Sequence, residues 1–406
     1  HETAPLNGIS IMSNGAVLID GISISHTTGA GNALYVLTPR SLTIKNSVFN
    51  SNLLCEGITV DEFTMVSGIS LTNVYSTNNW DGMWLYTPGN ISLTGVHADG
   101  NIYRGAYVGT CNEVSGSCTL TGSGVVTIKD STFDGNGDEL YGLKVQSRGK
   151  ITLTNVSASN NTNVAEDPVG AALEAHYSPL ANTITVTNSV FSGNDGTGLV
   201  VMTKGTITLN KVVANLNASG SGVTLDNTSD TTASNVTIAG SAAGDNQYIE
   251  NGSTGLVIFT NGAISVKYAQ ANWNIGYGIQ MDNTFSVAFP GVTLSGADIL
   301  GNQMTGLLIN SKGNVSLTGV HADGNTTSAA YIDTCNPDAD WCQWFGPGKV
   351  TIKDSTFDDT DDVFDAALYV TSRGAISLTN VSAREMPALV YAVQVYAHFI
   401  PSLSAR

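Results

Sequence analysis

Two pairs of cysteines have the spacing of local disulfides. Cys111 and Cys118 bracket CNEVSGSC, and Cys335 and Cys342 bracket CNPDADWC at the matching place in a second copy of the same block. Two C-x6-C loops predict two short-range disulfides and an oxidising compartment. Zinc is the rival reading, but no third or fourth ligand lies nearby. Cys55 stands apart and reads as a buried, inert thiol, with pairing between molecules as the alternative. Acidic residues come next. Asp134 and Asp138 alternate with other oxygen-bearing side chains, as do Asp358 and Asp361 in the copy. Hard oxygen ligands in a flexible loop would suit Ca²⁺, the one cofactor these residues suggest. Solvated loop carboxylates are the plainer reading. His97 and His321 each precede an Asp by two residues, a pairing able to do acid–base work. Because they occupy duplicated positions, they read as inherited scaffold, and no catalytic residue is assigned. A fourth set is aromatic: Tyr35, Trp84, Tyr107, Tyr331 and Tyr369 face outward from short strands. Such rings suit sugar stacking or a lateral protein contact.

These residues must be held by a repeating scaffold, because the chain repeats itself. GNISLTGVHADGN at 89–101 recurs at 313–325 with one change, an offset of 313 − 89 = 224 residues. VTIKDSTFD at 126–134 recurs unchanged at 350–358. Inside the blocks runs a shorter unit, 20 to 35 residues long. Its first apolar residue falls at Ile22, Leu42, Ile69, Ile91 and so on to Ile376, always Ile, Leu or Val, with another two residues later. That is period-two strand patterning. At positions five and seven, Ser/Phe pairs such as Ser131/Phe133 tend to alternate with Val/Ala pairs such as Val156/Ala158. Large residues over small ones fill a core between stacked layers.

Position ten is Asn in twelve of fourteen units: Asn32, Asn52, Asn79, Asn101, Asn136, Asn161, Asn194, Asn217, Asn246, Asn274, Asn302 and Asn325. Asn tolerates left-handed turn geometry, and stacked amides can hydrogen-bond along an axis. A second strand follows, opened by Gly in ten consecutive units from Gly57 to Gly306 and by Ala in the others. The expected fold is all-β: a single right-handed parallel β-helix, or solenoid, of about fourteen coils with loops of variable length, in one domain over 1–406. Coils span about 15–396, with 386–406 an atypical terminal segment. A half coil is expected around Ile9 and Ile11.

These ladders resemble the right-handed parallel β-helix superfamily, the pectate-lyase-like fold. More narrowly, GNISLTGVHADGN, VTIKDSTFDGN and SRGKITLTNVSASNN look like coils of very large bacterial extracellular repeat proteins. The resemblance implies fold more than activity, since this fold hosts unrelated functions. The Asp clusters with an Arg or Lys base of pectate lyases, and the paired Asp with His of polygalacturonases, are not found.

Composition narrows the partners. The 406 residues carry a formal net charge of −17, which offers phosphates no basic stripe, so no nucleic acid is expected. No run of 18 apolar residues suggests a membrane span. The chain opens His1-Glu2-Thr3-Ala4, which reads as a processed product or a segment of something longer. The reading is a non-enzymatic extracellular structural protein: a β-helical rod serving as a surface filament or sheath subunit, or an adhesin segment. Poorly capped ends would let it self-associate end to end. The alternative is a polysaccharide-binding or polysaccharide-degrading β-helix protein, a lyase or hydrolase.

Overall fold

A computed structural model describes residues 7–27, 31–60, 66–110, 113–114, 117–118, 122–137, 141–162, 169–175, 180–229, 233–286, 288–334, 348–360, 366–384 and 392–397. Every regular element among them is a β-strand. The chain forms two compact units, an N-terminal unit of residues 1–206 and 212–220 and a C-terminal unit of 207–211 and 221–406. Each is a parallel β-solenoid.

In both units the first strands of successive coils stack into one sheet and the second strands into another. The N-terminal unit contributes eight second strands among the described residues, from Ile9–Met12 to Leu199–Met202, and the C-terminal unit seven, from Val223–Asp226 to Val393–Ala397. Ile9–Met12 is the expected half coil, paired in parallel with Leu34–Leu37. The remaining fourteen match the coils expected from the repeat. Every step is in register: Ile58 pairs with Met83, Met83 with Ala106, and Ala106 with Leu143. Slipping one residue would turn each apolar row outward, which is why β-branched alternation fixes this register.

The core alternates as the sequence requires. In the N-terminal unit Phe49, Ser76, Ala98, Phe133, Ala158, Phe191 and Ala214 succeed one another and are fully buried. Beside this column runs a second, of asparagine. From Asn52 through Asn79, Asn101, Asn136, Asn161 and Asn194 to Asn217, each Oδ1 accepts the backbone N–H of the preceding Asn at 2.9–3.1 Å. Most also accept its side-chain amide. The ladder satisfies donors that the buried turn would otherwise orphan. It also explains the glycine ladder. A Cβ on Gly82 would lie 2.1 Å from the Gly105 carbonyl oxygen and 2.7 Å from the Asn101 amide nitrogen.

Three expectations are corrected. The left-handed residue at this turn is the one before the ladder Asn, as at Asn78 (φ 53°) and Asn160 (φ 56°), so the ladder Asn itself does not make the turn. In the first coil, Val17 and not Ile22 pairs with Leu42, while Ile24 pairs with Phe49. The ladder is therefore met there by Thr27, whose N–H and hydroxyl donate to Asn52 Oδ1, and Asn32 lies outside it, its N–H donating to Asn7. Asn246 also lies outside. Its side-chain amide donates to the Ala239 and Lys267 carbonyls, and Asn251 takes the ladder place, bonded to Asn274. The cause is a five-residue insertion after Ala239, which moves the large core residue to Tyr248. From Asn251 the column continues through Asn274 and Asn302 to Asn325.

Candidate functional site

The outward residues of the second-strand sheets are where the aromatics stand. In the N-terminal unit one row reads Tyr35, Thr59, Trp84, Tyr107, Lys144 by register. Trp84 and Tyr107 stack with centroids 4.7 Å apart and planes at 19°. Thr59 separates Tyr35 from Trp84 in the row. Tyr86, two residues past Trp84, lies 5.1 Å from Tyr107.

Charged groups that the sequence reading did not single out enclose this stack. Arg104 sits 4.5 Å above the Trp84 ring and makes a two-pronged contact with Asp81, Nε and Nη2 each 3.1 Å from a carboxylate oxygen. Lys144 lies 4.7 Å from the Tyr141 ring and 3.6 Å from Glu174. Gln146 links the Tyr107 hydroxyl to Glu174, donating to the carboxylate at 2.8 Å. Burial holds the Glu56 carboxyl above its ordinary range; the Thr59 hydroxyl opposes that, Asp81 adds to it and Arg104 opposes it. Glu56, Asp81 and Arg104 each stand immediately before a ladder glycine, so this column could have been read by aligning the coils. Each cation here has a carboxylate, and Tyr86, Tyr107, Gln146 and Glu174 are all buried. The result is a closed, internally neutralised network.

The C-terminal unit repeats the scaffold and changes the outward residues. By the repeat offset Trp84 becomes Leu308 and Tyr107 becomes Tyr331; one residue out of step, Lys144 becomes Tyr369. Leu308, Tyr331, Tyr369 and Gln394 are neighbours by register. Tyr331 and Tyr369 stack at 4.6 Å and 10°, and Tyr396 is tilted 5.7 Å beyond Tyr369. A cleft of about 390 Å³ opens here, within the range of small-molecule sites. It is lined by Tyr277, Tyr331 and Tyr369 together with Leu308, Thr305, Ser328 and Gln394. Asp333, outward on the same strand as Tyr331, accepts the Thr371 hydroxyl at 2.5 Å. Burial raises the Tyr369 phenol above its ordinary value, with Tyr396 and Asp333 adding and a hydrogen bond with Tyr331 opposing.

The remaining expected sites fare unevenly. Cys111, Cys335 and Cys342 lie outside the described residues, as does the side chain of Cys118, and Cys55 is buried. Asp138 and Asp361 lie outside as well. Asp134 Oδ1 accepts the Ser157 hydroxyl and the Ser159 N–H, each at 2.7 Å, and burial raises its pKa despite them. Among the described residues no group of three His, Cys, Asp or Glu is arranged to hold a metal. His97 stacks on Tyr75 at 4.7 Å, and its Nδ1 is 2.9 Å from the Thr132 hydroxyl, which donates to Asp99. The hydroxyl proton is committed to Asp99, so the imidazole must donate and carries its hydrogen on Nδ1.

A family model described as the right-handed beta helix region matches residues 7–215. No curated protein matches the chain. Among solved structures, the crystal structure of the periplasmic alginate epimerase AlgG is similar, at 12% identity and a TM-score of 0.39, covering 95% of this chain and 80% of that one. The expectation that the chain is not an enzyme does not stand, because the right-handed β-helix family it matches is a fold that hosts enzymes among its functions. Among the described residues no helix is long and apolar enough to cross a membrane.

Proposed function

The chain belongs to the right-handed β-helix family, and on that scaffold we propose that it binds a polysaccharide through the second-strand face of the C-terminal unit. One observation carries the reading: the cleft walled by Tyr277, Tyr331 and Tyr369. A pyranose presents C–H groups and hydroxyls side by side. Its match is a surface that mixes aromatic carbon with short-range donors and acceptors, which Tyr supplies in one side chain. Thr305, Ser328 and Gln394 add further polar partners. The parallel stack helps a polymer in particular, because equivalent positions recur in every coil at the strand spacing of about 4.8 Å. The two C-x6-C pairs favour an extracellular setting for such a ligand.

The test is calorimetric titration of the full chain with a panel of cellohexaose, xylohexaose, hexa-N-acetylchitohexaose and oligogalacturonate. At least one binds, and Tyr331→Ala and Tyr369→Ala each weaken it about five- to tenfold while the protein still melts cooperatively. Binding to none of the panel, or undiminished binding by both variants, refutes the reading.

A second reading, chemistry on the bound chain, is favoured by Asp333. Asp333 is 3% exposed, lies two residues past the cleft residue Tyr331, and acts electrostatically on the Tyr369 phenol. A carboxyl can exchange a proton with a sugar that reaches it. New reducing ends, unsaturated products or altered sugar stereochemistry, absent with Asp333→Asn, would support it; unchanged polymer after long incubation would refute it.

A further inference from the structure

The duplicated segment GVHADGN gives two different surroundings to its histidine. In the N-terminal unit Tyr75 pairs in register with His97 and stacks on it, and Thr132 engages its Nδ1. In the C-terminal unit the coil before brings Asp298 to the place of Tyr75. His321 is then bracketed: Nδ1 lies 3.9 Å from Asp298 Oδ1 and Nε2 lies 3.9 Å from Asp323 Oδ2. These distances exceed hydrogen bonds, and the three side chains are 46%, 37% and 39% exposed, so their polar atoms face solvent.

The flanks differ in the coil before. Two columns of left-handed residues border the outward face, and beside both histidines they hold glycine: Gly95 and Gly100 at His97, Gly319 and Gly324 at His321. In the coil before His97 they hold Asn73 and Asn78, and in the coil before His321 they hold Gly296 and Gly301. One coil earlier the same columns hold Tyr268 (φ 54°) and Trp273 (φ 56°). Bulky residues are uncommon in that conformation. Each ring lies over a glycine: a Cβ on Gly296 would meet Tyr268 Cδ1 at 2.9 Å, and one on Gly301 would meet Trp273 Cδ1 at 2.6 Å. Those glycines flank the strand Asp298–Leu300. The Trp273 side chain is largely in solvent, with 56% of the residue exposed.

We infer that the Asp298–His321–Asp323 cluster, with Tyr268 and Trp273 beside it, is a second saccharide-binding site, on the first-strand face of the C-terminal unit. It is selective for uncharged pyranoses. The carboxylates accept hydroxyl hydrogens, and the rings supply the apolar contact. The same carboxylates, on a chain of net charge −17, repel a uronate. The sugar class rests on the reading of the cleft; the location does not.

Titration of the full chain with the same four oligosaccharides tests it, with Trp fluorescence as a second readout. Trp273→Gly keeps the left-handed backbone, and Asp298→Asn/Asp323→Asn keeps the shape. Each removes one class of sites for a neutral oligosaccharide, or weakens it about tenfold, while Tyr331→Ala/Tyr369→Ala leaves that class intact. If only the tyrosine variants lose affinity, this inference is overturned and the cleft stands. If only the Trp273 and Asp variants lose it, the cleft reading falls and this one holds. Equal binding of oligogalacturonate at this site overturns the selectivity, and binding of no oligosaccharide overturns both.

Discussion

Asn274 Oδ1 receives both the backbone N–H and the side-chain amide of Asn251, each at 2.9 Å, and its own amide donates to the Tyr248 carbonyl. With a further bond from the same amide to Asn302 Oδ1, one side chain closes four hydrogen bonds inside a buried turn. Asn274→Ala removes these bonds and lowers stability by about 2 kcal/mol. Chemical denaturation gives the figure. Asn246→Ala, outside the column, removes the bonds to the Ala239 and Lys267 carbonyls but leaves the column intact, and should cost less.

Tyr248 occupies the core position that Phe49, Phe133, Phe191 and Phe357 fill in other coils. Its hydroxyl is buried without a hydrogen-bond partner, and burial pushes the phenol pKa far above its ordinary value. Tyr248→Phe removes an unsatisfied polar atom and keeps the ring, so it should stabilise the protein by about 1 kcal/mol. A lower melting temperature for the variant would contradict this packing.

The insertion before Tyr248 is held by Asp245, whose carboxylate accepts the N–H and hydroxyl of Ser241 and the N–H of Ala242. Those bonds lower its pKa from an ordinary 3.8. A depressed carboxylate pKa contributes stability above the ordinary value and loses it as pH falls through the folded value. Protection of the Ser241 and Ala242 amides from hydrogen exchange should therefore persist through pH 4 and fade below it. In Asp245→Ala it should be missing throughout.

Asp81 is nearly buried and is matched by Arg104. Arg104→Met removes the paired charge and leaves that carboxylate the backbone N–H of residue 104, and should cost about 2–3 kcal/mol. Adding Asp81→Asn should restore much of the loss, and a double-mutant cycle measures the coupling.

The ladders were legible because each follows from a constraint that acts on every coil. Gly82 has no room for a Cβ, Asn101 must satisfy its neighbour, and Phe133 lies between Ala98 and Ala158. The insertion before Tyr248 was not legible, since Asn246 happens to fall where an uninterrupted coil would place the ladder residue. The first coil misled in the same way, through Ile22 and Asn32. Of the sites, Trp84 beside Tyr107 and Tyr331 beside Tyr369 could be anticipated from period-two alternation. Tyr277 stands immediately before ladder Gly278, in the column of Glu56, Asp81 and Arg104, so aligning the coils would also have found it. Asp298 facing His321 could not be anticipated, because it depends on coil-to-coil register and not on spacing along the chain.

The central claim is that the tyrosine cleft holds sugar, and a crystal structure of the full chain with the tightest-binding panel oligosaccharide tests it most directly. The account predicts sugar rings against Tyr277, Tyr331 and Tyr369, hydrogen-bonded to Thr305, Ser328 or Gln394. A well-ordered oligosaccharide bound elsewhere, with this cleft filled only by water, would contradict it.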